Sequence, residues 1–160
     1  MFKKILLATD GSQAADKALP FIISLAKKFD PQIFVLYCVP HSILKLTSAA
    51  SFTPVSVESS FDLPLGTMMP PSLKIAREEK EKAGNIVGRI QEVLRNSEVA
   101  STIMIGKGNP GKVICESASQ QKIDLVIIGQ KGGGKIKNYT LGSISYYVSR
   151  HAPCAVLIIK

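Results

Sequence analysis

The chain has 160 residues, of which 46% are hydrophobic and 20% are charged. This length suits one domain with one core, and the composition is that of an ordinary soluble globular protein. No apolar run reaches the ~18 residues that a membrane span needs. The first run, residues 5–8, is also too short for the apolar part of a signal peptide. We therefore expect a cytosolic protein without a membrane partner.

The formal net charge is +8, and the chain has three cysteines and two histidines. Many lysines lie beside glutamates, as in residues 78–82, which is typical of a solvated helix surface. Aromatic residues are not interleaved with the basic ones, so nucleic acid is not an expected partner. The cysteines lack the number and spacing of a disulfide framework or a zinc site, and Cys115 and Cys154 are expected to be buried apolar residues.

Five apolar runs predict the strands. Most are continuous, as in strands that are buried on both faces of a parallel sheet. Helical patterns separate them, which predicts right-handed crossovers. The third run contains Ser101 and Thr102 and is the most polar, so we expect it at a sheet edge. The runs are residues 5–9, 33–39, 99–105, 124–129 and 155–159.

Four helical patterns lie between the runs. The first begins at Gly11 and Ser12 and continues to residue 26, with Pro20 expected to bend it. The third begins at Asn109, which is followed by Pro110 at the first helical position. The residues expected to face the core are Ala83, Ile86, Val87, Ile90 and Leu94 in the second, Val113, Ile114 and Ala118 in the third, and Ile144, Tyr147 and Val148 in the fourth (residues 143–150).

The segment from Pro40 to Pro71 breaks this alternation. It is rich in Ser, Thr and Pro but also holds large apolar residues. A stretch of this length without helix or strand is unusual inside a compact domain. We interpret residues 1–160 as a single domain with a long insertion at about 41–71, which is expected to be a lid, a partner contact or a mobile insertion.

A first glycine pattern is Gly106-x-Gly108-x-x-Gly111, which follows a predicted strand and precedes a helix. This matches the dinucleotide fingerprint, which also needs an acidic residue at the end of the next strand to hold the ribose. Asp124 has about the right spacing, but it begins its strand and so belongs to the wrong edge of the sheet. The pattern favours a tight turn into a helix over an NAD site.

A second pattern, Gly129-x-x-x-x-Gly134-Lys135, is followed by Ile136. A P-loop needs Ser or Thr at this last position, because that hydroxyl ligates Mg²⁺. The sequence therefore argues against a P-loop kinase or GTPase.

The third pattern is Gly129-x-x-Gly132, then nine residues, then Gly142-Ser143. Gly129 ends a buried run, Gly142 and Ser143 open a helix, and lysines lie between them at 131, 135 and 137. Glycines, N–H groups, a helix N-terminus and positive charge together suit a di- or triphosphate. They equally suit a flexible crossover with solubilising lysines, and the spacing alone leaves both interpretations open.

This complete G-x2-G-x9-G-S pattern resembles that of the ATP-binding universal stress proteins. Residues 124–129, 142–159 and 4–12 are similar to the family's fourth strand, its last helix and strand, and its first strand and turn. The resemblance covers nearly the whole chain except about 41–71. It implies a single-domain, Rossmann-like, three-layer α/β/α fold with a five-stranded parallel sheet in the order 3-2-1-4-5, and a crevice where that order reverses.

The resemblance also implies a site for an adenine nucleotide: ATP, accompanied by Mg²⁺, or ADP or AMP. Asp10 would accept a hydrogen bond from the exocyclic amine of adenine, although it also suits a turn-capping role. Tyr37 and Gln130 depart from the residues common in the family, and Gln130 could reshape the loop. The implied ligand-binding residues are Ala8, Asp10 and Cys38 for the base, Ile105 and Gly106 near the ribose, and Gly129, Gly132, Gly142, Ser143 and Ser145 for the phosphates.

We find no catalytic constellation and expect no dedicated enzyme. The favoured function is a nucleotide-binding regulatory or stress-response protein. A slow ATPase or phosphotransfer protein and a nucleotide-free interaction module with a basic surface are the alternatives. The last run, 155–159, is apolar although the implied strand order places it at a sheet edge, which predicts a homodimer through this strand. The alternative is a monomer in which the 41–71 segment covers this edge.

Overall fold

The computed structural model describes residues 2–12, 16–39, 71–131 and 141–160. Apart from Pro71, the predicted insertion at about 41–71 lies outside the described residues. None of the helices in the described ranges combines the length and the apolar composition that a membrane span requires. In chain order the elements are β1 (Lys4–Thr9), α1 (Leu19–Phe29), β2 (Gln32–Val39), α2 (Pro71–Asn96), β3 (Ser101–Lys107), α3 (Pro110–Gln120), β4 (Leu125–Gly129), α4 (Ser143–His151) and β5 (Ala155–Ile159).

The strands form one parallel sheet in the order β3-β2-β1-β4-β5. The predicted order is therefore confirmed, and β3 lies at an edge as its polar residues indicated. Because β1 pairs with both β2 and β4, the direction in which the sheet grows reverses at β1. Crevices for ligands open at the carboxyl ends of strands at such a reversal.

Alternating residues of β1 fill the two sides of the sheet. Ile5 and Leu7, both fully buried, pack with residues of α1 and α2. Leu6 and Ala8 pack with residues of α3 and α4. Full burial of an aliphatic side chain contributes about 1.5–3 kcal/mol, so both helix layers are held to the sheet mainly by this strand and its neighbours.

The helix that contains Pro20 begins at Leu19. The N–H of Asp16 donates to the carbonyl of Ser12 (3.1 Å), as in a helical turn, but α1 itself begins at Leu19. Pro20 therefore lies in the first turn of α1, where its missing N–H costs nothing. The predicted helix from residue 12 is thus interrupted before Leu19, and residues 13–15 lie outside the described residues.

Three helices end in the same way, with a residue other than glycine in the left-handed conformation. Asp30, Glu98 and Lys122 have φ values of 48°, 61° and 53°. After α2, the N–H of Val99 bonds back to the carbonyl of Leu94 (2.9 Å) and both side chains are buried together. This is a Schellman ending, which explains why β3 begins at Ser101 and not at Val99 as predicted.

The predicted inner faces are largely confirmed. On α2, Ala83, Val87, Ile90 and Leu94 are buried and Ile86 is partly buried. On α3, Ile114 and Ala118 are buried and Val113 packs against them.

The inner face of α4 differs from the prediction at one position. Val148 is fully buried, but Ile144 is 36% exposed and Ser145 is buried in its place. Ser145 lies inward because its hydroxyl bonds to the end of β4, and this turns Ile144 outward.

The cysteines also differ in part. Cys38 is buried, whereas Cys115 and Cys154 are only partly so. Both still pack against the apolar cluster beneath α3 and α4, as small apolar residues do.

Candidate functional site: the carboxyl edge of the sheet

The end of β4 and the start of α4 are joined through one carbonyl group. The carbonyl oxygen of Gln130 accepts from the N–H of Gly142 (2.9 Å) and from the hydroxyl of Ser145 (2.7 Å). The N–H of Gln130 donates to the carbonyl of Ile159 on β5 (2.6 Å). The loop between these anchors, which includes the predicted site residue Gly132 and two of the three lysines, lies outside the described residues.

The N-terminus of α4 carries N–H groups that its own helix does not use. The first bond within the helix runs from the N–H of Tyr146 to the carbonyl of Gly142 (2.9 Å). The N–H groups of residues 143–145 precede this bond and, by helix geometry, have no acceptor in their own helix. Gly142 occupies the N-cap position and has no side chain with which to cap them. Such a helix end binds anions, and the residues here therefore fit a phosphate group.

Gly142 is required by a close backbone approach. A Cβ atom at this position would lie 3.1 Å from the carbonyl oxygen of Gln130 and 3.4 Å from the Cα of Lys131. The space that a side chain would fill is thus occupied by the end of β4. A substitution of Gly142 would first disturb this contact with the end of β4. Any effect on a bound phosphate would follow from that disturbance.

Ser145 has a structural role in this connection. The residue is 2% exposed, and its hydroxyl lies within 2.9 Å of the carbonyl of Gly142 as well as near Gln130. A hydroxyl has one proton to donate. To donate to a phosphate, Ser145 would have to give up a bond that holds α4 to β4. Ser143, at the helix start, is exposed and free of this conflict.

Ala8, Cys38 and Gly106 lie on the same face of the sheet, next to α3 and α4. Ala8 and Cys38 belong to one buried cluster, and Gly106 pairs with Cys38 in the β2–β3 register. Burial raises the pKa of the Cys38 thiol to about 12, so it is neutral at ordinary pH and acts as an apolar wall. These three predicted residues are therefore brought together.

The side chain of Ile105 lies on the other face. Ile103 packs with α2, and strand alternation places Ile105 on that same side. It is 52% exposed at the edge strand. Only the backbone of Ile105 remains beside Gly106 and Cys38, so any contact with a ligand in the crevice would be made through its peptide groups.

Asp10 lies in the turn that follows β1. Its carboxylate accepts from the N–H of Ser12 (3.0 Å), and the hydroxyl of Thr9 accepts from the N–H of Gly11 (3.1 Å). Gly11 has φ +75°, which glycine adopts at little cost. The turn-capping role considered for Asp10 is confirmed, and it leaves the exposed carboxylate at the carboxyl edge of the sheet.

The turn after β3 uses its glycines for packing. A Cβ at Gly106 would collide with the side chain of Val113, and one at Gly111 would lie 2.7 Å from the ring of Tyr147. Gly108 has φ +125°. Each glycine of the dinucleotide-like pattern thus has a structural explanation, which favours the tight-turn interpretation.

Asp124 is placed at the amino edge of the sheet, as its position at a strand start predicted. Its Oδ2 atom accepts from the N–H groups of Lys3 (2.7 Å) and Lys4 (2.9 Å). These bonds hold the pKa of Asp124 below its usual range. Asp124 therefore joins the starts of β1 and β4 and lies far from any ligand at the carboxyl edge.

A groove of about 620 Å³ also lies at the amino edge. It runs between the α1–β2 turn and the α2–β3 turn, and its lining includes Lys27, Gln32 and Glu98. It contains none of the predicted site residues.

Sequence reasoning missed two features that shape the site. The double acceptor role of the Gln130 carbonyl is a backbone property, which residue type does not reveal. The ion pair between Arg89 and Asp16 joins positions that are 73 residues apart. Only the fold brings these two together.

The chain is similar to known proteins over its whole length. A family model described as the universal stress protein family matches residues 1–160. Universal stress protein Sll1388 of Synechocystis sp. is 31% identical over 99% of this chain and 98% of its own. Universal stress protein UspA from Lactobacillus plantarum has a similar structure, with a TM-score of 0.75 and 26% identity over 99% of this chain and 98% of its own.

Two further solved structures share the fold and hold nucleotides. A universal stress protein in complex with cAMP has a TM-score of 0.66 and 20% identity, covering 99% of this chain and 97% of its own. A family protein from Arabidopsis thaliana with AMP bound has a TM-score of 0.60 and 17% identity, covering 99% and 91%. With the family model and the Synechocystis relative, the sheet order places the chain plainly: it belongs to the universal stress protein family.

Proposed function

We propose that this protein binds an adenine nucleotide at the carboxyl edge of its sheet, between β1 and β4, and acts as a regulatory module. The observation that carries the proposal is the N-terminus of α4. There the N–H groups of residues 143–145 follow a glycine N-cap, Gly142, which is bonded to Gln130 at the end of β4. A phosphate would accept from these groups and lie in the field of the helix dipole.

The base would lie against the face formed by Ala8, Cys38 and Gly106. This face is apolar and lies on the side of the sheet covered by α3 and α4, near the turn that carries Asp10. The carboxylate of Asp10 is an acceptor suited to the exocyclic amine of adenine. Structures of the same fold that contain cAMP and AMP support an adenine ligand. ATP with Mg²⁺ is the form we propose, because lysine-rich residues follow β4.

A charge placed at the start of α4 tests the proposal. Ser143→Asp adds a carboxylate that the helix dipole favours but that repels a phosphate, so the fold is retained while binding falls. We expect affinity for ATP with Mg²⁺ in the micromolar range, weaker affinity for AMP, and a loss of at least about tenfold in the variant. Isothermal titration calorimetry measures both.

The matched control is Ser149→Asp. It adds the same charge to an exposed serine of α4, six positions further along. Its ATP affinity should equal that of the unmodified protein. Equal affinities in all three proteins would refute a phosphate site at the N-terminus of α4.

We also propose a homodimer through β5. This strand is at the sheet edge, and Leu157 is 36% exposed there. An apolar edge is suited to pairing with the same strand of a second copy about a two-fold axis. Sedimentation equilibrium should give twice the chain mass of 17.2 kDa. A monomer at high concentration would contradict this, and a dimer that persists in Leu157→Lys would place the interface elsewhere.

A further inference from the structure

We propose that Arg89 on α2 is a positioning residue for the base site: by holding the turn after β1, it fixes Asp10 and so sets the preference for adenine over guanine. This inference rests on the proposed function. Arg89 itself lies outside the predicted site and acts through the turn.

The turn is attached to α2 at two points. The first is at Gly11, where a Cβ would lie 2.5 Å from the Cδ1 atom of Ile86. The Ile86 side chain therefore fills the space beside the Gly11 backbone. The second is at Asp16, whose two carboxylate oxygens accept from the two terminal nitrogens of Arg89 (2.8 and 2.9 Å). Ile86 and Arg89 are three positions apart, so both contacts come from neighbouring points on α2.

The contacts within the turn carry this attachment to Asp10. The backbone N–H of Asp16 donates to the carbonyl of Ser12, and the N–H of Ser12 donates to the carboxylate of Asp10. Moving Asp16 away from α2 would therefore loosen the residue whose N–H orients the Asp10 carboxylate. A bidentate guanidinium–carboxylate pair fixes both distance and plane, which a single ammonium contact does not.

The ion pair is suited to a positioning role because it contributes little to the fold. The Arg89 side chain is 52% exposed and that of Asp16 is 31% exposed. Ion pairs that remain in contact with water have small effects on stability. Removing the pair should leave the protein folded, so that an effect on binding is not an effect of unfolding.

The experiment compares Arg89→Ala with Arg77→Ala. Arg77 pairs with Glu81 within α2 itself and provides the matched control. Calorimetry with ATP and with GTP gives an affinity ratio for each protein. Arg89→Ala should weaken ATP binding about three- to tenfold, as expected for a hydrogen-bonded group that loses its position. GTP binding should change less, so the ratio narrows, while Arg77→Ala keeps both values.

Restoring the pair should restore the preference. The double variant Asp16→Arg, Arg89→Asp reverses the charges and re-forms a bidentate contact. Arg89→Lys keeps the charge alone and should recover only part of the ATP preference. An ATP:GTP ratio in Arg89→Ala equal to that of the unmodified protein would overturn the inference.

A second measurement is independent of any nucleotide. Amide hydrogen exchange at Gly11 and Ser12 reports the two bonds of the turn directly. Faster exchange at these amides in Arg89→Ala, but not in Arg77→Ala, supports the attachment of the turn to α2 through Arg89. Unchanged exchange refutes it even if ATP binds. If the unmodified protein binds no nucleotide, the proposed function fails and the base-selectivity role fails with it, whereas the exchange result still decides whether α2 holds the turn.

Discussion

The β3–α3 and β4–α4 connections both pass from a strand to a helix through glycines, yet they leave different groups at the helix start. At α3, Pro110 has no N–H to offer, and the side chain of Asn109 accepts from the N–H of Lys112 (3.3 Å). At α4, Gly142 provides no cap, and Ser143 has an ordinary N–H. At the start of α3 one N–H is missing and another is bonded to the cap side chain, whereas at the start of α4 the cap residue has no side chain to accept from the helix N–H groups.

The comparison shows that glycine spacing alone does not identify a phosphate site. In the β3–α3 connection the glycines make room for neighbouring side chains, Val113 and Tyr147. In the β4–α4 connection Gly142 makes room for the backbone of Gln130. What separates the two is the residue pair at the helix start, Asn-Pro in one and Gly-Ser in the other. A capped start with proline offers fewer N–H groups to an anion than an uncapped start does.

The largest effect is expected from filling the space at Gly106. Gly106→Ala places a Cβ against Val113 and should destabilise the protein by about 1–3 kcal/mol, the usual range for overpacking. Urea denaturation measures this. In Gly142→Ala the nearest contact is a tight 3.1 Å, so the loss without nucleotide should be smaller. A larger loss in Gly142→Ala would break the comparison.

The double variant Gly106→Ala, Val113→Ala is the control for the prediction at Gly106. Removing the methyl groups of Val113 makes room for the new Cβ, so the two substitutions should cost less together than the sum of their separate effects. Strict additivity would mean that the contact with Val113 is not the reason for glycine at 106.

A gain of stability is expected at the two glycines of α2, beside which the described residues leave open space. A Cβ at Gly84 or Gly88 would meet nothing within 4 Å, and both residues are exposed in a helix. Gly84→Ala and Gly88→Ala should each stabilise the protein by up to about 1 kcal/mol through helix propensity. The same denaturation series measures them, and a loss of stability at either position would contradict this prediction.

The smallest effect concerns Asp124 and acid. Hydrogen bonds from the N–H groups of Lys4 and Lys3 lower its pKa. Its contribution to stability is therefore complete above its unfolded pKa, near ~3.9, and is lost as the pH falls through the lower folded value. The urea midpoint of Asp124→Asn should fall less than that of the unmodified protein on acidification below about pH 4.

The same variant sharpens the comparison of the two connections. Asp124 lies at the amino edge, so ATP affinity in Asp124→Asn should not change. Loss of nucleotide binding in this variant would return Asp124, and with it the turn after β3, to the list of candidate ligand residues.

The sequence predicts the parts of this structure that depend on local patterns. Continuous apolar runs gave the strands, and Asn109-Pro110 gave the start of α3, because these signals are confined to a few adjacent residues. The strand order came from the family resemblance. Val99 was assigned to a strand because it is apolar, but a left-handed residue before it ties it to the helix.

The candidate site is likewise predictable from the sequence only where it depends on local patterns. Its glycines and the start of α4 are visible as a spaced pattern. The face on which Ile105 lies follows from strand alternation, but the elements that pack on that face depend on the fold, as the contact of Ile103 with α2 shows. The ion pair between Arg89 and Asp16 depends on tertiary structure, since in the sequence each residue is indistinguishable from an ordinary surface charge.

The left-handed residues Asp30, Glu98 and Lys122 all lie where a helix returns to the sheet, which is the amino edge. Each side chain in this conformation costs the fold roughly 1–2 kcal/mol that glycine would not. Replacing any of these three residues with glycine would therefore change the stability of the fold at the edge remote from the proposed ligand crevice. The stability of the amino edge and the shape of the carboxyl edge can thus be altered by separate substitutions.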